Sequence, residues 1–287
     1  MTEKLKIFGI CGSARHASTE WAVKLSLETA ESLGYVETEF VNLGDYNLVP
    51  CTGCMRCFGW MHPADAERPK CYEAEDDSEA LLTKMMESDG IIMGTPVYTL
   101  GVTSLARIFM EKAHMFGPMS FTKFSGMMRY KPCGVITVGG VDIAGQEVCA
   151  QDIWMWALGL GMTTPGSWPT RDDPNPMASV HAGIVSTCDG RQIYGKSALS
   201  KEACRTVPPT QGWRNEKSIR NVGRHVAIAA MLFKLGKKAF EEGGYKAPEI
   251  IPFTRYSVKP KKGSWVQKLI DDGRVTYVDK GDNEPSG

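Results

Sequence analysis

Short apolar runs alternate with segments of helical spacing through the first 165 residues, and this alternation leaves few architectures open. Residues 6–11 (Lys-Ile-Phe-Gly-Ile-Cys) form the first run. Runs at 36–43, 90–94 and 132–139 follow, and 162–167 is read as a fifth strand. Between them lie helical patterns at 18–33, stopped by Gly34, at 77–87, at 104–115 and at 145–160. From Ile7 onward the 6–11 run is apolar, the pattern of a strand covered on both faces. Strand–helix–strand order then demands right-handed crossovers and a parallel sheet with helices on both sides.

Five strands with these connections fit a flavodoxin-like doubly wound α/β sheet. Residues 1–167 are read as that domain, with a cysteine-bearing loop inserted at 47–75. Residues 168–212, rich in Pro, Gly, Asp and Ser, read as a long excursion. Residues 213–242 read as one long helix, with Ile219, Val222, Val226, Ala229, Ala230, Phe233 and Phe240 at helical spacing to cover the sheet. With the tail to 287, this C-terminal extension is expected to pack on the same domain. The basic run Lys259-Pro260-Lys261-Lys262 reads as a solvated face. The 287 residues carry a formal net charge of zero, which disfavours a nucleic-acid or acidic-membrane partner. There is no stretch of about 20 apolar residues to span a membrane. Nine cysteines and no apolar signal-peptide core point to a reducing cytoplasm.

Cys51, Cys54 and Cys57 repeat every third position beside Pro50 and Gly53, and Cys71 follows. Core cysteines do not keep that rhythm in a Gly- and Pro-bearing loop. Such spacing lets one turn of irregular backbone aim three thiolates at one centre, and with a fourth it suits a four-iron cluster. A zinc site, free thiols and disulfides are the other readings. Cys11 and Cys133 fall in buried strands and Cys149 in a helix, while Cys188 and Cys204 lie in the excursion; none is assigned chemistry.

Ligands bind at the carboxyl ends of strands in open α/β sheets, and three loops leave those ends. The first, 12–19, offers Ser13, Arg15, Ser18 and Thr19 at a helix N-terminus. It reads either as a phosphate cradle or as a capped helix with an exposed Arg. It matches neither an NTPase P-loop nor a dinucleotide fingerprint. The second, 95–101, holds Pro96, Val97, Tyr98, Thr99 and Gly101, either the edge of a planar-ring site or a plain connection. The third has Gly139, Gly140 and Gly145, which permit close backbone approach, followed by Gln146 and Glu147 as possible caps. Asp76 and Asp77 read as helix caps.

Together the loops resemble the NADPH-dependent FMN reductase family of flavodoxin-like proteins, and specifically its iron–sulfur flavoprotein branch, over about residues 4–165. The resemblance implies that Ser13, Arg15, Ser18 and Thr19 hold the FMN phosphate. It implies that Pro96, Val97, Tyr98, Thr99 and Gly101 line the ring, with Gly139 and Gly140 on its other edge. It implies that Cys51, Cys54, Cys57 and Cys71 hold a [4Fe–4S] cluster, and that the chain forms a homodimer or homotetramer. Thirteen residues (58–70) separate Cys57 from Cys71, more than the family's usual motif. The extra loop-closure cost is on the order of 1 kcal/mol, small beside a metal centre's binding. The insertion carries Trp60, Met61 and His62, and His62 is a candidate to replace a cysteine ligand.

The resulting expectation is an FMN- and [4Fe–4S]-containing oxidoreductase. It would take electrons from ferredoxin or NAD(P)H and deliver them to a small acceptor such as a quinone, an oxygen species or a nitro compound. No catalytic acid or base is assigned. A flavin or quinone reductase with structural zinc or no metal, and a redox sensor or carrier without turnover, are the alternatives.

Overall fold

A computed structural model describes residues 4–58, 66–118, 120, 122–140, 145–166, 183–186, 212–244, 255–256, 260–273 and 276–277. Strands β1 (Leu5–Cys11), β2 (Val36–Asn42), β3 (Gly90–Pro96), β4 (Cys133–Gly139) and β5 (Gly183–Ser186) form one sheet in the order β2-β1-β3-β4-β5. Every neighbouring pair is parallel. This is the flavodoxin-like order, with its switch point between β1 and β3.

The fifth strand is not where periodicity places it. Residues 162–166 contribute only a bridge from Thr163 to Pro132, and β5 comes from inside the 168–212 excursion. Met162 is buried in the core and gives the segment its strand-like apolar signal. Pro165 and Gly166 follow it closely and suit no sheet interior.

The parity of the strands explains the two layers. Phe8, Ile10, Ile91, Met93, Cys133 and Val135 face a core built with α2 (Ser78–Glu87), α3 (Ser104–Lys112) and α4 (Gln146–Gly159). Leu5, Ile7, Ile92, Ile136 and Val138 face the other core, built with α1 (Ser18–Glu31) and α5 (Gly212–Glu242). Successive side chains alternate faces and both faces are apolar, which is why the runs read as continuous. Cys11, Cys133 and Cys149 are buried, and burial pushes the first two thiols up to about 12 and the third to about 11.

Helix α5 covers the sheet with only its first half. Ile219, Val222, Val226 and Ala230 are buried, whereas Phe233 and Phe240 stand 41% and 52% exposed. Phe233 stacks on Tyr130 with ring centroids 6.3 Å apart. The close approach of α5 to α1 depends on Gly223, because a Cβ there would sit 1.9 Å from the carbonyl oxygen of Ser26. A short α6 (Trp265–Asp271) and a two-stranded pair, β6 (Arg255–Tyr256) with β7 (Thr276–Tyr277), follow.

Two glycines of one helix therefore differ in sign. Gly223→Ala is expected to destabilise the fold by about 1–3 kcal/mol through overpacking. Gly236→Ala, with nothing within 4 Å of the added Cβ, should stabilise it by about 0.5–1 kcal/mol. Paired denaturation curves check this, and equal shifts would mean α5 does not dock through Gly223.

Candidate functional site

Three of the loops that leave the carboxyl ends of the strands are stitched to one another. Gly12 N–H donates to the Gly94 carbonyl (2.7 Å), and the Thr103 hydroxyl donates to the Gly12 carbonyl (2.5 Å). The same Thr103 oxygen caps α3 by accepting from Ala106 N (3.1 Å). Helix α1 has no such cap: Ala17 holds its N-cap position and no side chain accepts there. Ser13, Ser18 and Thr19 are buried around that uncapped end and Arg15 is exposed beside it. The capped-helix reading of this loop therefore falls. An open helix N-terminus ringed by hydroxyls and a guanidinium fits an anion such as the FMN phosphate.

In the second loop Val97 N–H donates to the Val138 carbonyl, and Tyr98 and Gly101 exchange backbone hydrogen bonds of 2.9 and 3.1 Å. The tight turn between them puts Thr99 and Leu100 at φ 50° and 62°. Two consecutive non-glycine residues in the left-handed region are uncommon and costly. Tyr98 and Leu100 are 40% and 65% exposed, so the turn presents its backbone and an aromatic face outward. The third loop must yield to it. Gly145, at φ 98°, faces the backbone of Leu100, and a Cβ would stand 2.8 Å from the Leu100 Cα.

Gly139 and Gly140 lie at the end of β4, with the first against the Gln146 side chain and the second facing open space. Gln146 is fully buried, and Gly145 holds the N-cap position of α4. Residues 141–144 lie outside the described residues. The open ground before Gly140, beside the exposed turn, is where a planar ring would fit.

His16, in the first loop, is held between two carboxylates. Its Nδ1 is 2.6 Å from Glu20 Oε2 and its Nε2 is 3.1 Å from Asp45 Oδ1. The hydrogen bond to Glu20 and the charge of Asp45 raise the imidazole above its ordinary 6.5. Burial works against Glu20, but hydrogen bonds from Lys24, Asn42 and His16 overcome it and hold the carboxyl at about 2.

The cysteine loop leaves β2 and is closed at a neck. Asn47 N donates to Asp77 Oδ2 (2.7 Å) and Val49 N to Asp76 Oδ2 (3.1 Å). Asp77 N returns a bond to the Asn47 carbonyl (2.9 Å). Asp76 Oδ1 also accepts from Ser78 N at the start of α2 (3.1 Å). Asp77 holds the N-cap position of α2, but its side chain serves the loop neck and makes no cap bond, against the expectation, whereas Asp76 accepts at the helix start and its buried carboxylate also lies 2.8 Å from the buried Lys112 Nζ. Nothing in the sequence links residues 36 positions apart in this way.

Within the loop Gly53 and Met55 have φ of 68° and 62°, an irregular backbone that needs a glycine at one position and strains the other. Arg56 reaches across to the Tyr72 carbonyl (3.4 Å) and to Glu73 (3.2 Å), tying the Cys51–Cys57 turn to the stretch after Cys71. That tie spans the 58–70 insertion. Phe58 stacks on His114 at 4.9 Å. Cys51 is exposed and Cys54, Cys57 and Cys71 are half-buried.

Burial, and the nearness of Cys51, Cys71 and Cys54, push the Cys57 thiol up to about 11. Burial raises Cys71 too, but the backbone N–H groups of Ala74 and Glu73 and the Lys112 ammonium bring it below its ordinary value. Among the described residues no three His, Cys, Asp or Glu side chains already form an ion-holding group. The chemistry of the donor set still fits one: four cysteine sulfurs on one loop, with a buried ammonium at its neck, suit a thiolate-ligated centre that is anionic as a whole. Trp60, Met61 and His62 lie outside the described residues, as do Cys188 and Cys204.

The His16 contact carries a pH signature. Its folded-state value is raised, so the contribution to stability is complete below pH 6.5 and fades as pH rises through the higher folded value. The His16→Ala variant should lose this slope, read from denaturation midpoints at several pH values. A wild-type imidazole titrating at 6.5 by NMR would contradict the contact.

The family model described as NADPH-dependent FMN reductase matches residues 5–173. An iron–sulfur flavoprotein of Methanocaldococcus jannaschii is 35% identical over 163 residues, covering 56% of this chain and 76% of that protein. One from Methanosarcina thermophila is 26% identical over 203 residues, covering 67% of this chain and 98% of its own. Among solved structures, RosB with a bound 8-demethyl-8-formylriboflavin-5'-phosphate intermediate is 18% identical. It aligns over 91% of this chain and 92% of that one with a TM-score of 0.52, a likeness of fold. With its cradle loops on a flavodoxin-like sheet, the chain belongs to the NADPH-dependent FMN reductase family, in the branch that includes the iron–sulfur flavoproteins, and is a flavin-dependent oxidoreductase.

Proposed function

We propose that this oxidoreductase holds FMN at the stitched carboxyl-edge loops and a [4Fe–4S] cluster on Cys51, Cys54, Cys57 and Cys71. In this reading it passes electrons from ferredoxin or NAD(P)H to a small acceptor such as a quinone, an oxygen species or a nitro compound. The observation that carries the reading is a four-thiol loop, closed at its neck, opening from the same sheet edge as the uncapped α1 terminus. When bound, FMN exchanges electrons singly or in pairs and the cluster exchanges them singly, so the two together convert one kind of traffic into the other.

The residues' own tasks follow from where they stand. Ser13, Ser18 and Thr19, with the α1 N-terminus and Arg15, would bind and orient the phosphate. Pro96, Val97, Tyr98, Thr99 and Gly101, held rigid by the Tyr98–Gly101 turn, would line one edge of the ring. Gly139 and Gly140 would leave room at the other. No side chain in this arrangement is needed to move a proton.

Residues 1–167 would form the FMN-binding unit, with 168–212 an excursion that supplies β5 and 213–287 packing on the same unit, as the α1–α5 contact supports. A homodimer or homotetramer is supported by α4. That helix exposes Val148, Met155 and Leu158 at 53%, 64% and 54%, interrupted by Glu147 and Gln151. A cytoplasmic setting is supported by the cysteine content. Among the described residues no helix is long and apolar enough to cross a membrane.

Anaerobically purified protein should show flavin bands over a broad iron–sulfur shoulder, with about four irons per FMN. Cys54→Ser should lose iron and keep FMN, and unchanged iron would sink the ligand assignment. Zinc in place of iron would favour a flavin or quinone reductase. Arg15→Ala is expected to weaken FMN binding by about 1.5–3 kcal/mol, roughly 10- to 100-fold in Kd, measured by fluorescence quenching on the flavin-free protein. An unchanged Kd would remove Arg15 from the cradle.

A further inference from the structure

The end of α3 carries a charge that packing does not explain. Lys112 has a side chain 2% exposed, and Asp76, its partner, is fully buried. Asp76 already accepts hydrogen bonds from Val49 N and Ser78 N, so much of its negative charge is answered by the backbone. The 2.8 Å approach of Lys112 Nζ to Asp76 is off hydrogen-bond alignment. Among the described residues the ammonium therefore has no well-aligned acceptor. A methionine would fill the same space without the desolvation cost. A buried cation left short of acceptors points to a missing anion.

The direction of that anion is set by Cys71. Asp76, 2.8 Å from the ammonium, accepts from Ser78 N (3.1 Å), and Ser78 Oγ accepts from Cys71 N (3.3 Å), so a short chain of contacts leads from Lys112 to Cys71. The residues around the pair are the loop itself: Val49 lies just before the cysteines, Cys71 N donates to Ser78 Oγ (3.3 Å), and Asp76 closes the neck.

We propose that Lys112, held by Asp76, is a positioning residue that places one buried positive charge beneath the four-cysteine centre, docking Cys71 and favouring the electron-rich state of the cluster. The inference rests on the cluster reading above. A thiolate-ligated cluster is an anion, and reduction adds one electron with no bond made or broken. A fixed cation nearby therefore stabilises the reduced form more than the oxidised one. Lys112 touches neither substrate nor flavin in this account and acts through the cluster and Cys71.

The test compares wild type with Lys112→Met, Lys112→Gln and Lys112→Arg, purified without oxygen. Iron content is counted first. The midpoint of the cluster is then titrated with dithionite as electron donor and followed by EPR. Separately, iron-free protein is alkylated with iodoacetamide near neutral pH, and the rate at Cys71 is read by mass spectrometry.

The expected result is a more negative midpoint in the Met and Gln variants and a several-fold slower Cys71 alkylation, with Arg restoring both toward wild type. A merely structural role for Lys112 would alter thermal stability without Arg restoring the potential. Full iron with an unshifted midpoint in Met and Gln would overturn the inference. If the Met variant fails to fold, Gln carries the comparison. If wild type takes up no iron, the cluster reading itself fails. The alkylation rates then decide the Lys112–Cys71 contact alone, and equal rates sink that too.

Discussion

Burial of the sheet on both faces is the constraint from which the rest of this molecule follows. The inner strands offer no polar surface: β3 and β4 are buried along their whole length. Backbone polar groups that must meet a ligand or solvent are therefore driven to the ends of the strands. The carboxyl ends collect the N-termini of the following helices, and with them the positive ends of helix dipoles. Whether each such end is already satisfied decides what remains for a ligand. Thr103 satisfies α3 and locks it to Gly12, while α1 is left open beneath Ser13, Ser18 and Thr19. The asymmetry between two helix ends a few residues from the same strands is that one is capped and tied to its neighbour while the other has no side-chain cap.

The cysteine loop adds a second demand, because an excursion of this length must be closed without help from a sheet. Carboxylates close its neck, while Leu48, Cys57 and Ala66 pack against the core. Asp77 and Asp76 take backbone donors from Asn47 and Val49, and Arg56 ties the first three cysteines to the strand of chain after Cys71. A buried ion pair is a poor source of net stability. The Asp76–Lys112 contact is notable instead for its place, since the same carboxylate accepts from Val49 N and Ser78 N at the neck of the cysteine loop. The same economy appears at Gly145 and Gly223. Each is required by the close approach of a backbone rather than by a ligand.

The architecture was largely legible in the chain. Continuous apolar runs, helical spacing and glycine stops located β1 to β4 and α1 to α4 within a few residues, because local pattern and tertiary environment agree there. The fifth strand did not follow. Met162 made 162–167 resemble a strand, but strand pairing is a non-local choice, and the sheet took Gly183–Ser186 from a stretch whose composition reads as loop. Helix α5 was legible as a helix but not in its division. Spacing placed Phe233 and Phe240 on the covering face, but both stand exposed, and Phe233 stacks on Tyr130.

The sequence by itself determined the fold class, and it singled out the three loops and the four cysteines as candidates, since each is written in local pattern with a local physical meaning. Only the tertiary structure decided that α1 is uncapped, that Gly145 makes way for Leu100, and that Lys112 meets Asp76 beside Cys71. Those relations join residues tens of positions apart, and nothing in residue type or spacing encodes which distant side chain will share a buried site. Lys112 reads in the sequence as an ordinary basic residue near a helix end, where cations are common. Its role follows from being buried, and burial is a property of the packed chain rather than of the residue.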